Sequence, residues 1–587
     1  MPILQPIVNL AELLYQKGIT DVIVSPGSRS APLTLAVARH PKLRVRVIAD
    51  ERSAGFIALG LAQQRIVNGQ PKPVAIICTS GSAVYNLAPA VAEAYFQEIP
   101  LVLLTADRPR EWVQQQDGQT IFQAGIFGSH VKRSYDLPAD YSHPDARWYI
   151  ERSVNEALNL SGLTPLGPVH INVPLREPFY PKEGEHFRYE PVRVIDQVLV
   201  TQELPAETWH QLLSEWEGAE RKLIAVGQLP YHPKLTEVLQ KISEELAVPV
   251  VGEIISNQHQ NQLFITQSDT FLSSVAGEDF LEELRPDLLL TCGQSFLARN
   301  LKTFLRKYPA RQHWHIQPSA DRLVDSFQSL TKLIPTDPLY FFGKLFADLD
   351  YQRFLQGEEE PEENEYLERW QMADRRAGKL VQETLQPAEP FTEWAAVQTI
   401  LDAVPPHSVL HLANSMPVRY ANLCGIRADQ HIAVSANRGT SGIDGCLSTA
   451  VGAALATDQL VTLFIGDVAF FYDRNALWNS YVPANLRIVL FNNQGGHIFR
   501  MIDGPAQQPE LETYFETEQP LTGRTTAEEA GIGYRSSHGR AELQLALADF
   551  FTPGSKARLL EVFTDKRVNA TAFQQYKDKV KRLFGGV

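Results

Sequence analysis

An α/β protein built from three doubly wound parallel sheets is the architecture that the sequence predicts. Three features point to it: short apolar runs, helix-length segments between them, and two polar joints that divide the chain into three such series. Leu460–Ile465 and Leu486–Phe491 are apolar except for Thr462 and Arg487, as suits strands buried on both faces of a parallel sheet. A length of 587 residues exceeds what one core supports, which agrees with several domains.

In the first unit, residues 1–185, helices are expected over Ile7–Lys17, Ala31–Arg39, Ser53–Val67 and Ala83–Phe96. Strands are expected at Asp21–Ser25, Val45–Ala49, Val74–Thr79, Leu101–Ala106 and Val169–Val173. The polar, proline-bearing stretch Pro181–Arg193 reads as a linker. A middle unit, residues 194–356, carries strands at Lys222–Val226, Pro249–Val251, Asp287–Thr291 and His313–Ile316. Residues 357–390 combine the run GEEEPEENE, whose glutamates repel one another and stay solvated, with a helix at Tyr366–Thr384. The last unit, residues 391–587, has strands at Ser408–Leu412, Ile432–Ser435, Leu460–Ile465, Leu486–Phe491 and Arg558–Phe563. The first and last units share an alternating pattern, which permits an ancestral duplication.

Composition removes several function classes. A net charge of −14 argues against broad nucleic-acid binding, which wants a basic face, although it leaves room for a local arginine cluster. No long uncharged apolar stretch could span a bilayer, and the start MPILQPIVNLAELLYQKG lacks the basic region of a signal peptide. Cys78, Cys292, Cys424 and Cys446 lack CxxC spacing and read as buried free thiols in a reducing cytoplasm. Neither a G-x-x-x-x-G-K-[ST] loop nor an intact G-x-G-x-x-G is present, so P-loop and standard dinucleotide chemistry lose support.

Two strand ends do carry chemistry. One apolar run ends in Gly466–Asp467 and the next in Asn492–Asn493, with room between them for the crossover helix that parallel neighbours require. Asp467 and Asn493 would then emerge together at the carboxyl edge of a sheet, where open α/β folds place ligands. A carboxylate and an amide oxygen, with backbone carbonyls, suit Mg²⁺ that retains phosphate oxygens and water. Gly-Asp is also a common turn and Asn-Asn a common strand exit. Far upstream, Glu51 opens the small-residue helix ERSAGFIALGLA, where an acid also suits a first helical turn.

Together, Glu51, Gly466–Asp467 and Asn492–Asn493 resemble the pattern of thiamine-diphosphate-dependent enzymes of the decarboxylase type. Those have pyrimidine-binding, middle and diphosphate-binding domains in that order. Finer motifs are SPGSRSAPL, DERSAGFIALGLA, CTSGSAVYNLAPAVAEA, TADRPRE, NRGTSGIDG and NNQGGHIF. They resemble the 2-succinyl-5-enolpyruvyl-6-hydroxy-3-cyclohexene-1-carboxylate synthase family of the menaquinone and phylloquinone pathways. The likeness is strong in both outer units and loose in the middle one. Val468 stands where the wider superfamily has the last glycine of Gly-Asp-Gly, which favours the narrower family.

The resemblance implies a set of roles. Glu51 would face the pyrimidine N1′ of thiamine diphosphate and activate it. Asp467, Asn493 and the Gly495 carbonyl would hold Mg²⁺ (or Mn²⁺). Ile443 would wedge between the cofactor's rings, although an ordinary core isoleucine makes the same contacts, and Ser415 would lie beside the cofactor. The implied reaction decarboxylates 2-oxoglutarate and adds the remaining unit to isochorismate in a 1,4 sense. Both substrates are dianions, so arginine forks are needed. Arg29, Arg108, Arg419 and Arg438 are the candidates, with Ser28, Gln119 and Ser415 as neutral partners, Ile498 and Phe499 as an apolar wall, and Arg299 as a middle-domain addition. The family builds its site across a dimer interface, so a homodimer or homotetramer is implied. The rivals are a pyruvate carboligase of the acetohydroxyacid synthase type, which needs fewer arginines, and a cofactor-binding scaffold without chemistry.

Overall fold

The computed structural model of the protein describes residues 4–183, 185–198, 203–259, 261–356, 364–385, 390–502 and 504–585. Among them the strands form three sheets, and their pairings are parallel. The first holds β1 (Asp21–Val24), β2 (Arg44–Val47), β3 (Val74–Cys78), β4 (Leu101–Asp107), β5 (Ser134–Asp136) and β6 (Val169–Pro174), in the order β2-β1-β3-β4-β6-β5. The second holds β7 (Lys222–Val226), β8 (Val250–Gly252), β9 (Leu288–Cys292), β10 (Gln312–Gln317) and β11 (Lys332–Pro335), ordered β11-β10-β9-β7-β8. The third holds β12 (Val409–Leu412), β13 (Ala433–Ala436), β14 (Val461–Gly466), β15 (Leu486–Asn492), β16 (Gly533–Ser537) and β17 (Arg558–Phe563), ordered β13-β12-β14-β15-β17-β16. The three-sheet α/β class read from the sequence is therefore correct.

Renumbered within its own unit, the third sheet has the same strand order as the first, so the shared pattern extends to topology. The two units also meet through equivalent helices, Glu51–Val67 after β2 and Cys446–Ala454 after β13. Glycine makes that contact possible. A Cβ on Gly60 would stand 1.9 Å from the Thr449 carbonyl oxygen, and one on Gly452 would stand 2.0 Å from that of Ile57. The middle unit docks on the free edge of the third sheet. Asn257 donates to the Val434 carbonyl and accepts from its N–H, at 3.0 and 2.7 Å, so a side chain replaces a missing strand there.

Some expectations need correction. The helix expected over Ala83–Phe96 is two helices, Ser82–Asn86 and Ala88–Phe96, because Pro89 lacks the N–H that would continue the first. The crossover between β14 and β15 is only the short helix Asp467–Tyr472 and a 3₁₀ turn, Arg474–Leu477. β5, β11 and β16 were not expected, and each is an edge strand of its sheet. Residues 357–363 of the acidic run lie outside the described residues, as do 386–389 and Gly184 in the first expected linker. Among the described residues no helix is long and apolar enough to cross a membrane.

Candidate active site

Parallel strands send their carboxyl ends to one edge, and β14 and β15 pair in register from Val461↔Leu486 to Gly466↔Phe491. Asp467 and Asn493 follow directly, so the sequence correctly placed them on one edge. Asp467 is buried, and its carboxylate accepts from Val468 N (2.7 Å), Gly495 N (2.8 Å) and Gln519 Nε2 (3.2 Å). Burial nevertheless pushes its carboxyl up to about 6. Asn493 donates through Nδ2 to Glu393 at 2.7 Å, and its Oδ1 is buried without a hydrogen-bond partner. Gly495 has φ +155, and a Cβ there would meet the Glu516 carbonyl oxygen at 2.6 Å. Only glycine lets this loop close on Glu516, whose carbonyl accepts from Gly496 N. The His497 ring underpins the loop, 2.6 Å from the Asn493 carbonyl and 3.2 Å from the Glu516 carboxylate.

These residues fit a hard divalent cation. A buried acid bonded to Gly495 N and an unpartnered amide oxygen on Asn493 follow adjacent strands, and no protein cation pairs with Asp467 among the described residues. No group of three or more His, Cys, Asp or Glu could hold a metal among those residues, so any cation here needs further oxygens from backbone and ligand.

Beside this clamp, on the loop after β12, Ser415 has φ +78 and ψ −133, a strained conformation of the kind found at functional sites. Its carbonyl accepts from Arg419 Nη1 at 2.5 Å. On the loop after β13, Arg438 Nη1 donates to Asn414 Oδ1 at 2.9 Å, while its Nε is buried without a partner. Burial holds both guanidinium groups below their usual range, and Arg438 lowers Arg419 further. Two cations are thus held close together, and among the described residues each has donors left for a ligand. Ile443 is half-buried against the core shared by the outer units. Ile498 packs on the other large core, and the Phe499 ring lies 5.7 Å from that of Phe515.

The first sheet gathers the remaining candidates at its own carboxyl edge. Glu51 accepts from Asn86 Nδ2 at 3.3 Å. Its neighbours are tied to the third unit: Asn475 Nδ2 donates to Asp50 at 2.8 Å, and Arg52 to the Tyr472 carbonyl at 2.7 Å. Arg29 lies over the Phe179 ring at 4.6 Å and donates to the Leu175 carbonyl. Burial and the nearby Arg108 lower its guanidinium. Arg108 is already engaged by Asp117 at 2.6 Å and by the Gly118 carbonyl. Gln119 (φ +55) and Ser28 are exposed. Among the described residues no hydrogen bond or ion pair joins Glu51, Arg29 or Arg108 directly to Asp467 or Asn493, although Arg52 reaches the end of the helix that Asp467 opens.

Sequence reasoning missed the groups behind these residues. Glu253, fully buried, accepts from Leu297 and Ala298 N–H just ahead of the Arg299–Lys307 helix. Arg299 is exposed at that helix start, and Lys302 lies one turn on, where both act with Arg419 on the half-buried Asp269. Their i, i+3 spacing was the available signal for Lys302. Glu93 of the first unit accepts from Gly439 and Thr440 N–H, pinning the loop that carries Arg438 and Ile443.

Comparison with known proteins decides the family. Residues 9–126 match the model for the thiamine pyrophosphate enzyme, N-terminal TPP binding domain. A 2-succinyl-5-enolpyruvyl-6-hydroxy-3-cyclohexene-1-carboxylate synthase of Cytophaga hutchinsonii is 43% identical over 581 residues, covering 99% of this chain and 100% of that one. The chain belongs to this synthase family. Enzymes of the same name from Porphyromonas gingivalis and Christiangramia forsetii are 39% and 35% identical, over 97% and 98% of this chain and 96% and 98% of their own. The crystal structure of benzoylformate decarboxylase from Polynucleobacter necessarius superposes with a TM-score of 0.68 at 16% identity, covering 96% of this chain and 99% of that one, which is likeness of fold. The protein is thus a thiamine-diphosphate-dependent enzyme of the synthase family.

Proposed function

We propose that the chain decarboxylates 2-oxoglutarate and adds the remaining four-carbon unit to isochorismate, giving 2-succinyl-5-enolpyruvyl-6-hydroxy-3-cyclohexene-1-carboxylate and CO₂ for menaquinone or phylloquinone synthesis. The observation that carries this reading is the pair Arg419 and Arg438, two half-buried, under-used guanidinium groups beside the clamp. Such a pair answers dianionic substrates and is more than the single carboxylate of pyruvate requires. The names of the near-full-length relatives support it.

Asp467, Asn493 and the Gly495 carbonyl hold Mg²⁺ or Mn²⁺ and, through it, the diphosphate. Thiamine diphosphate, when bound, supplies the nucleophilic thiazolium carbon and the aminopyrimidine that deprotonates it. Glu51 would face N1′, accept a hydrogen bond from N1′–H and so favour the imino tautomer, without touching substrate. Ser415 and Ile443 line the cofactor; Ser28, Arg29, Arg108, Gln119, Arg419 and Arg438 hold the carboxylates, Ile498 and Phe499 exclude water, and Arg299 adds charge from the middle unit. The domains are 1–185, 194–356 and 391–587, with 357–390 as linker and helix.

The enzyme is cytoplasmic and works as a homodimer or homotetramer, with Glu51 of one chain completing the clamp of another. One feature supports this: large apolar side chains stand exposed on the flanking segments. Tyr85, Phe122, Tyr472, Trp478 and Tyr514 are 58, 68, 53, 66 and 75% exposed. The test is loss of isochorismate absorbance by purified protein with Mg²⁺, thiamine diphosphate and 2-oxoglutarate. Turnover that ignores 2-oxoglutarate, or that accepts pyruvate equally well, would replace this reading with a pyruvate carboligase.

A further inference from the structure

Glu393 has no role in the reading above, yet it is one of the most deeply placed acids in the molecule. It is 2% exposed and opens the Glu393–Ala403 helix. Its position is set from both sides: Thr392 caps the helix through Ala395 N, and Glu393 N donates to Asn569 Oδ1 at 2.8 Å. Asn569 is itself buried and anchored on Thr564 Oγ1 at 3.0 Å. Among the described residues no lysine, arginine or histidine pairs with this carboxylate. A buried acid without a partner cation is costly and calls for a reason.

Its carboxylate accepts from Asn493, whose Nδ2 donates to Glu393 Oε2 at 2.7 Å. A primary amide can turn either its oxygen or its nitrogen toward a given neighbour. The Glu393 oxygen that faces Asn493 accepts in this contact, so it selects the amide nitrogen and turns the amide oxygen away. That oxygen, Asn493 Oδ1, is the buried atom left without a partner. With the Asn493 backbone carbonyl held by the His497 ring at 2.6 Å, the residue is fixed at both ends.

We propose that Glu393 is a positioning residue for the cation: it locks the Asn493 amide with its oxygen presented to the metal. The proposal rests on the Asp467–Asn493 clamp being the cation site. Partners that orient a metal ligand typically contribute 10- to 100-fold in metal affinity. Glu393→Ala removes the acceptor, frees the amide to turn, and is expected to weaken Mn²⁺ and metal-dependent thiamine diphosphate binding by about that factor. Glu393→Gln keeps an acceptor oxygen for Nδ2 and should bind within a few-fold of wild type.

Mn²⁺ titration followed by electron paramagnetic resonance, with calorimetry of thiamine diphosphate at limiting and saturating Mg²⁺, reads both variants without turnover. The cofactor deficit of the alanine variant should close at saturating metal, which a general packing defect would not do. Should that variant fail to fold, Glu393→Met fills the space without an acceptor of comparable strength and carries the same expectation. Asp467→Ala separates the two levels of argument. If it loses metal while the Glu393 variants bind like wild type, the clamp stands and the role of Glu393 falls. If Asp467→Ala binds metal normally, the clamp itself is misplaced. A glutamine variant as impaired as the alanine one would overturn orientation as the cause, leaving charge.

Discussion

Replacing Arg438 by alanine tests the substrate assignment most directly. Its guanidinium has five N–H donors, of which Nη1 is bonded to Asn414 Oδ1 at 2.9 Å and Nε is buried with no partner. Asn414 is held in turn by the Asn437 and Gly442 carbonyls at 2.7 and 2.6 Å, so the fork is aimed before any ligand arrives. Burial lowers the guanidinium and Arg419 stands nearby, an arrangement in which two like charges gain from a bound dianion. Removing one partner of a buried, hydrogen-bonded charge pair costs about 2–5 kcal/mol. Arg438 is only half-buried, so the lower part of that range applies, about 2–3 kcal/mol. At about 1.4 kcal/mol per tenfold, kcat/KM should fall roughly 30- to 150-fold for at least one substrate. Lysine keeps the charge but loses the fork, so Arg438→Lys should fall between the two. Initial rates with each substrate varied against saturating partner give the loss, and calorimetry gives cofactor affinity, which should barely change. Full activity with both substrates would refute the assignment. A parallel fall in thiamine diphosphate affinity would move Arg438 from substrate to cofactor.

Three further outcomes are expected. Glu51→Gln should keep cofactor affinity within a few-fold but nearly abolish turnover, with proton exchange at the cofactor's C2 slowed in step; exchange at the wild-type rate would remove Glu51 from its role. Gly60→Ala and Gly452→Ala each place a Cβ against a helix backbone, at 1.9 and 2.0 Å, where no rotamer relieves the overlap. Each should cost about 1–3 kcal/mol or more and lower Tm without changing the residues of the clamp, as thermal melts would show. Burial pushes Asp473 up to about 7 despite hydrogen bonds from Ser448 N and Oγ, so the folded chain holds this proton more tightly than the unfolded chain does. Its contribution is therefore greatest below the ordinary carboxylate range and is lost as pH rises toward 7, with a slope of at most about 1.4 kcal/mol per pH unit. Asp473→Asn should gain on wild type in Tm between pH 5 and pH 8; a difference that stays constant with pH would show that the carboxyl does not titrate there.

What could be read in advance depends on how far an element's residues report burial. β4 and β15 are flanked by strands on both sides and buried along their whole length, so nearly every residue in LVLLTAD and LRIVLFN reports the environment. β5, β11 and β16 each have one neighbour and consist of SYD, KLIP and GYRSS, whose partial exposure leaves no apolar signature to find. The same contrast governs the site. Asp467 and Asn493 end adjacent strands, so local pattern and topology suffice to bring them together. Glu393 meets Asn493 from 100 residues away, and Glu253 reaches Arg438 from a different unit. In the sequence, Glu393 is an acid in a first helical turn, where the helix dipole alone would explain it. Glu253 is an acid in a strand-exit loop, and nothing local marks it as buried. A supporting group acts by filling one remaining hydrogen-bond vacancy on its partner, and that vacancy exists only after folding. Residues assigned to ligand were therefore legible through local motif, and the groups proposed to support them were legible only in three dimensions.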